Sequence, residues 1–386
     1  MAILVVSLLL LAANIVLGHP PLTATGTAVL PDFLAYWTGG NLVADGHAAQ
    51  LYDPAVQAHL QRQAVPGVGD SLSWFVAPPF VALLYWPFGA LPYPVAASLF
   101  TALSLAALYL VAQMLQPTVA GRADVPSRVF WVAAAASPAV FEALGAGQNS
   151  PCLLLLWVVA LQQLRAGRDT TAGALLALSA FKPHLLLLIP IWFVVRRNWR
   201  ALGGFAACGV VLFAASLGFL PPHTFGAWRA ALTSDTFGQQ VQVGQTWKME
   251  SLSALLTDVT GWSRMDAVVL AAGALVLAWW LPRLSPDPLR DLAIVAAVTV
   301  ACAPHVLLYD AVLLIIPIVW LVSEGRLRDL RWQLLALFVV QFTTAGRHLL
   351  SATTVMLGWL DWAWAAVPIV MIVVAMYRLT PRRVAR

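Results

Sequence analysis

A few polar side chains interrupt an apolar chain of 386 residues, and their types suggest transfer chemistry. Asp32 heads the stretch Pro31-Asp32-Phe33-Leu34-Ala35-Tyr36-Trp37, just beyond an apolar run over residues 2–18. Among aromatic neighbours a carboxylate loses part of its hydration, which raises its basicity towards what is needed to take a proton from a hydroxyl. A general base is one reading, and an N-cap for a helix through residues 33–43 is the other; the two are compatible. Asp53, immediately before Pro54, reads as a turn or cap residue.

Further along, Gly147-Gln148-Asn149 joins two apolar runs, with Glu142 one turn earlier. Gln148 and Asn149 suit either ligand contact or capping, and an ionisable group close to a bilayer is a functional candidate by default. Lys182, one of two lysines in the chain, can bind a phosphate as a point charge or extend to the membrane interface with no ligand. Pro304-His305 with Tyr309 and Asp310 brings an imidazole, a phenol and a carboxylate to one short connection. His305 could donate to a phosphate or a sugar hydroxyl, or be a satisfied structural histidine. Arg347 and His348 add cations, and Arg229, Lys248 and Glu250 lie on a long polar loop. No HExxH, Cys/His cluster or DxD supports a metal, and no P-loop or Gly-x-Gly-x-x-Gly supports a soluble nucleotide. Cys152, Cys208 and Cys302 each sit in an apolar run and read as packing thiols.

The elements that must position these groups are membrane helices. Hydrophobic residues make up 61% of the chain and charged residues 10%, against about a quarter charged in soluble domains. The net charge of +5 comes from arginines punctuating hydrophobic runs, which argues for membrane topology and against nucleic-acid binding. About 20 helical residues cross a hydrocarbon core. Apolar runs fall near residues 2–18, 94–115, 129–144, 149–164, 171–182, 184–195, 201–220, 267–284, 291–303, 310–323, 332–348 and 359–377. This predicts an all-α, polytopic transmembrane bundle of about 10–12 spanning or re-entrant helices, in one domain over residues 1–386. The break at Lys182-Pro183 predicts a re-entrant or broken helix, since proline removes an amide and disfavours helix at the preceding residue. Residues 1–18 lack a basic leader and a small-x-small cleavage site, so they read as a retained span. Of the 22 basic residues, Arg62, Lys182, Arg229, Lys248, Arg264 and Arg347 fall on one side of the alternation and the rest on the other. Basic residues are retained in the cytoplasm, so the long polar segments, about 19–93 and 221–266, are expected outside, where they form the active face. Residues 74–91, apolar but broken by Pro78, Pro79 and Pro87, read as interfacial or re-entrant, beside which a lipid tail could lie.

The chain resembles the membrane mannosyltransferases of glycosyltransferase family 87, which have the GT-C fold. The likeness rests on an ordered series: Asp32-Phe33, Tyr36-Trp37, Leu51-Tyr52-Asp53, Pro78-Pro79, Gly147-Gln148-Asn149, Lys182-Pro183, the turn from Arg196 to Arg200, and Pro304-His305 with Tyr309. It implies transfer of a hexose, typically mannose, from a polyprenyl-phosphate carrier to a lipid or glycan acceptor on the outer face of the bacterial plasma membrane. It also implies that Asp32 is the catalytic base. Together with the residue chemistry this predicts an inverting displacement, with Lys182, His305 and Arg347, in that order, stabilising the departing phosphate. Tyr36, Trp37, Gln148, Asn149 and Tyr309 complete the expected substrate contacts; no cofactor is expected and no metal is required. Membrane lipids are the remaining expected partners. A multi-span transporter or lipid flippase is the competing reading, disfavoured because the polar residues gather at one surface and no matching pair of interrupted helices marks the two halves.

Overall fold

The computed structural model describes residues 2–120, 126–236, 249–262, 264–325, 331–349 and 359–379. Among them the secondary structure is helical, apart from isolated bridges at Leu22–Ala28 and Met249–Leu307. The helices are α1 (Ala2–Val16), α2 (Pro31–Ala44), α3 (Pro54–Ala64), α4 (Pro79–Gly89), α5 (Tyr93–Val119), α6 (Ser127–Ala135), α7 (Pro138–Ala146), α8 (Ser150–Arg165) and α9 (Asp169–Leu178). They continue as α10 (Ile189–Val195), α11 (Trp199–Phe219), α12 (Thr224–Leu232), α13 (Leu252–Thr260), α14 (Met265–Trp280), α15 (Pro288–Cys302), α16 (Ile315–Ser323), α17 (Arg331–Leu349) and α18 (Trp359–Leu379).

This is the expected all-α polytopic fold, with fewer long spans than the apolar runs suggested. Among the described residues three helical segments are long and apolar enough to cross a bilayer, Tyr93–Val119, Trp199–Phe219 and Met265–Arg283, and the interrupted pair α6 and α7 makes a fourth. Proline is one cause of the shortfall. Pro138 starts α7 with two residues between it and the end of α6, and around Pro183 the chain takes two short 3-10 turns, Ser179–Phe181 and Pro183–Leu186, where a continuous helix would need the missing amide. By contacts the chain divides into two compact units, residues 1–107, 141–151 and 209–245 in one, and 108–140, 152–208 and 246–386 in the other.

In the first unit α2 is the spine. Pro31 occupies its first turn, where no amide partner is needed. Helices α2 and α4 meet at glycines: a Cβ on Gly40 would stand 2.2 Å from the Tyr85 carbonyl oxygen, and one on Gly89 2.1 Å from the Asn41 nitrogen. Asn41 then donates its side-chain amide to the Gly89 carbonyl at 2.9 Å. Behind them Phe33 stacks on Phe100 with ring centres 4.5 Å apart, and buries completely.

In the second unit α15 runs through the core, buried at every position from Leu289 to Ala301. Beyond Arg290 and Asp291 it is apolar on every side save for Thr299, and such a helix has no face for water. Its one carboxylate in the first turn, Asp291, is held by Arg196 through two bonds of 2.6 Å, Nε to Oδ2 and Nη2 to Oδ1. The third guanidinium nitrogen donates to the Leu284 carbonyl at 3.0 Å. Such a fork satisfies a buried carboxylate as a lysine could not, so the basic turn after α10 is anchored to the core helix. Helices α9 and α11 touch backbone to backbone, since a Cβ on Gly173 would meet the Ala201 oxygen at 1.8 Å and one on Gly204 the Thr170 oxygen at 2.0 Å.

Candidate functional site

Each unit holds one polar centre built from residues singled out in the sequence. In the first, Asp32 is the second residue of α2, where the helix N-terminus favours a negative charge. It does not cap the helix. Leu30 holds the N-cap position and makes no side-chain bond, because Pro31 starts the helix one residue before Asp32. Asp53 does cap: its Oδ1 accepts from the Ala55 and Val56 amides at 2.8 and 3.3 Å at the start of α3.

Gln148 donates its side-chain Nε2 to Asp32 Oδ2 at 2.7 Å across 116 positions of sequence. What brings them together is Gly147. Its φ of +73° is a conformation L side chains avoid, and a Cβ there would lie 2.6 Å from the Leu30 Cβ and 2.7 Å from the Phe33 Cβ. The loop therefore presses directly on the head of α2, and the Gln148 amide closes the turn on the Ala143 carbonyl at 2.9 Å. Gln148 Oε1 and both polar atoms of Asn149 are buried with no hydrogen-bond partner. Each such group costs about 1–3 kcal/mol when left unsatisfied, so the residue that orients Asp32 and its neighbour hold two unused acceptor oxygens and one unused amide donor. Tyr36, one turn along α2 from Asp32, is half-buried and stacks on Tyr85 at 4.8 Å. Trp37 turns inward instead, 5% exposed, and its indole donates to the Leu91 carbonyl at 3.0 Å. With about 3.6 residues per helical turn, neighbours 36 and 37 project about 100° apart, which leaves Trp37 a packing role.

The second unit holds the centre around Lys182. The residue stands between the two 3-10 turns with φ −123° and ψ 73°, the extended shape a following proline imposes. Its Nζ reaches Asp310 Oδ1 at 2.5 Å, and the two side chains are 5% and 1% exposed. The same ammonium lies 4.3 Å from the centre of the Tyr309 ring. Lys182 neither extends to an interface nor stands as an isolated cation; burial of an ammonium demands such a partner. Asp310 Oδ2 accepts from the Leu307 amide at 3.3 Å and lies 3.8 Å from His184 Nε2.

His305 meets the edge of His184 with ring centres 6.1 Å apart. Its backbone is left-handed at φ 56°, and its Nδ1 is buried with no partner. Enclosure by protein lowers the His305 pKa to about 4, with the neighbouring His184 and Lys182 acting the same way and Asp310 opposing. The ring is therefore neutral at physiological pH, a hydrogen-bonding group without charge. The segment is fixed from the other side by the Met249–Leu307 bridge and by the Glu250 amide, which donates to the Val306 carbonyl at 2.7 Å. Glu250 is itself buried and accepts from Gln341 Nε2 at 3.2 Å.

An apolar groove of about 400 Å3 runs beside this centre between α6, the 3-10 turn Leu308–Leu314 leading into α16, and α17. Phe130, Ala134, Ile315 and Phe338 line it, together with Ala311, which follows Asp310, and Gln341, which holds Glu250. Within the 74–91 segment, beside which a lipid tail was expected, α4 packs on α2. Arg347 belongs to α17, but its side chain, like Lys248, lies outside the described residues. Among the described residues no three His, Cys, Asp or Glu side chains are placed to share a metal ion. Asp310 and Glu250 were named in the sequence as polar groups but not as partners of these residues, and His184 was not named; their signal is the rule that a buried ammonium or imidazole needs a polar neighbour, which spacing alone cannot name.

Comparison with known proteins adds the family. Residues 75–309 match the sequence model of glycosyltransferase family 87. Over 207 residues the chain is 32% identical to an alpha-(1->3)-arabinofuranosyltransferase of Mycobacterium tuberculosis, found in strains CDC 1551 / Oshkosh and ATCC 25618 / H37Rv. The alignment covers 48% of this chain and 46% of the relative, so the chain spans about half the length of the curated relatives it matches. No solved structure matches.

Proposed function

The chain belongs to glycosyltransferase family 87, and on that premise we propose that this membrane glycosyltransferase moves a hexose, mannose by its sequence likeness, from a polyprenyl-phosphate carrier to a lipid or glycan acceptor on the non-cytoplasmic face. Asp32 is the general base. It takes the proton of an acceptor hydroxyl, the oxygen bonds to the anomeric carbon, and the bond from that carbon to the phosphate oxygen breaks. Polyprenyl phosphate leaves with the bonding pair and configuration inverts. Gln148 aims the carboxylate, and the unsatisfied amide of Asn149 is suited to sugar hydroxyls. Charge growing on the departing phosphate is met by Lys182 and by neutral His305 as a hydrogen-bond donor. Because Asp310 already balances Lys182, the ammonium acts as an oriented donor more than as net positive charge.

The observation that carries the donor class lies in the second unit: Asp310 of the buried polar centre is followed directly in the chain by Ala311 in the wall of the apolar groove. A phosphate on an isoprenoid chain has that same succession of polar head and apolar tail. The outer placement rests on the distribution of basic residues.

The test is purified protein in a detergent without a sugar headgroup, given labelled polyprenyl-phosphate mannose and candidate glycolipid acceptors. Asp32→Asn keeps the shape and removes the proton acceptor, so transfer should fall by about 10²–10⁴. Unchanged transfer by that variant at matched protein would remove Asp32 from the mechanism. A second reading, an arabinofuranosyl donor, is favoured by the 32% identical relative, and the same assay with polyprenyl-phosphate arabinose decides between the sugars. Movement of label across liposomes with no covalent product would replace both readings with transport.

A further inference from the structure

A cleft in the first unit, separate from the residues used above, is built like a sugar-binding slot. Helix α3 carries Gln57 and Gln61 one turn apart, both buried. Gln57 donates to the Phe75 carbonyl at 3.2 Å and accepts from the Phe75 amide at 2.8 Å. Gln61 does the same for Ser73, at 2.5 and 3.1 Å. Two side-chain amides four residues apart thus hold alternate residues of an extended segment, as a neighbouring strand would. Phe75 is buried, and Trp74, between the two clamped residues, is left half-exposed on the wall of a cavity of about 450 Å3. That volume lies within the range of about 300–1,000 Å3 usual for ligand sites.

The facing wall is α12, which presents Ala227, Ala230 and Ala231, with Ser234 just beyond. These residues are small, so α12 puts little side-chain bulk into the cavity that Trp74 also lines. The Trp228 indole donates to the Val76 carbonyl at 3.0 Å and ties this wall to the Trp74 segment. Tyr52 donates to the Ala77 carbonyl at 2.7 Å and fixes the far end. Asp53 lies at the rim, exposed, with Oδ1 taken by the two capping amides and Oδ2 turned to neither. Among the described lining residues there is no lysine or arginine, so these residues offer an anionic ligand no counter-charge. An aromatic side chain and a carboxylate suit a neutral carbohydrate: the ring's C–H face lies on the indole and its hydroxyls donate to the carboxylate.

We propose that this cleft is a carbohydrate subsite that holds a neutral sugar residue of the acceptor glycan against Trp74 and Asp53. The proposal rests on the glycosyltransferase reading of the chain and adds to it that the acceptor is a glycan longer than its reacting residue. The experiment measures binding of free oligosaccharide without donor, by saturation-transfer NMR and tryptophan fluorescence, in the full chain and a sugar-free detergent. The probes are linear mannotetraose and an arabinofuranosyl tetrasaccharide. At least one should bind wild type, and Trp74→Ala should weaken it by about tenfold or more. Trp74→Phe, which keeps an aromatic face, should retain most of the affinity. Asp53→Asn preserves a capping oxygen and should cost a smaller factor, about threefold. Ala230→Trp fills the slot from an exposed helix position and should abolish binding with stability unchanged. Absence of binding by either tetrasaccharide to wild type, or equal affinity in Trp74→Ala and Ala230→Trp, would overturn the subsite. Asp32→Asn separates the two claims: it should bind the oligosaccharide as wild type does while losing transfer, whereas binding without transfer in wild type would sink the reaction and leave the cleft.

Discussion

Removing one member of the Lys182–Asp310 pair should destabilise the second unit far more than removing both. The side chains are 5% and 1% exposed with 2.5 Å between charged atoms. Breaking a buried pair from one side leaves an unpaired charge and costs about 3–5 kcal/mol. At about 1.36 kcal/mol per decade that is two to nearly four decades in the unfolding equilibrium. Lys182→Met keeps most of the stem volume and leaves Asp310 uncompensated. Asp310→Asn keeps an acceptor for the Leu307 amide, so its cost reports the stranded ammonium and not a lost turn. The double variant leaves two neutral groups, one still bonded to Leu307, and its cost should be about 1–2 kcal/mol, the loss of one or two ordinary polar interactions. The coupling between the sites, the sum of the two single costs less the double cost, should then be at least about 4 kcal/mol. Reversible unfolding in mixed detergent micelles, followed by circular dichroism, measures all four proteins. If each single variant lost under about 1 kcal/mol and the losses added in the double, the pair would be solvated and the assignment of Lys182 as a buried, oriented donor would fall.

Other expectations follow from the same geometry. Gly147→Ala should slow transfer by a factor of ten or more and cost more than about 1 kcal/mol of stability, since the site requires positive φ and Leu30 and Phe33 leave no room for a methyl; full activity would show that the loop need not touch α2. Gln148→Ala should lower kcat about tenfold with donor KM unchanged, because it removes the bond that aims Asp32 and no donor contact; a change confined to KM would contradict this. His305 titrates near pH 4 when folded and near its ordinary value when unfolded, so the unfolded chain binds more protons in between and stability should fall as pH drops from about 6.5 to about 4. Melting of wild type and His305→Asn over that range, asparagine being tolerant of positive φ, should show the slope only in wild type. Arg196→Lys should melt earlier than wild type, because a lysine cannot reproduce the two parallel bonds to Asp291.

What was legible in the sequence was whatever one residue or its near neighbours decide. The break at Lys182-Pro183 follows from a missing amide, the cap at Asp53 from a short acceptor before Pro54, and the helical class from composition; each is found as expected. Crossings were not legible. Gly40 and Gly89, or Gly173 and Gly204, look like ordinary glycines in apolar runs, and only the second backbone shows why no Cβ fits. The same limit applies to charge. In a chain with 17 acids, a buried lysine announces that one must be its partner, but Asp310 lies 128 positions away and shares no pattern with Lys182. Asp32 and Gln148 stand apart in the same way. Both pairs use residues whose local surroundings explain only their backbone: a proline beside Lys182, a glycine beside Gln148, a helix start at Asp32. Local rules fix where each side chain leaves the main chain, and the apolar core then leaves each polar tip so few places to go that one partner suffices. That division predicts where errors in reading such a chain should fall, at the partners of correctly chosen residues and not at the residues themselves.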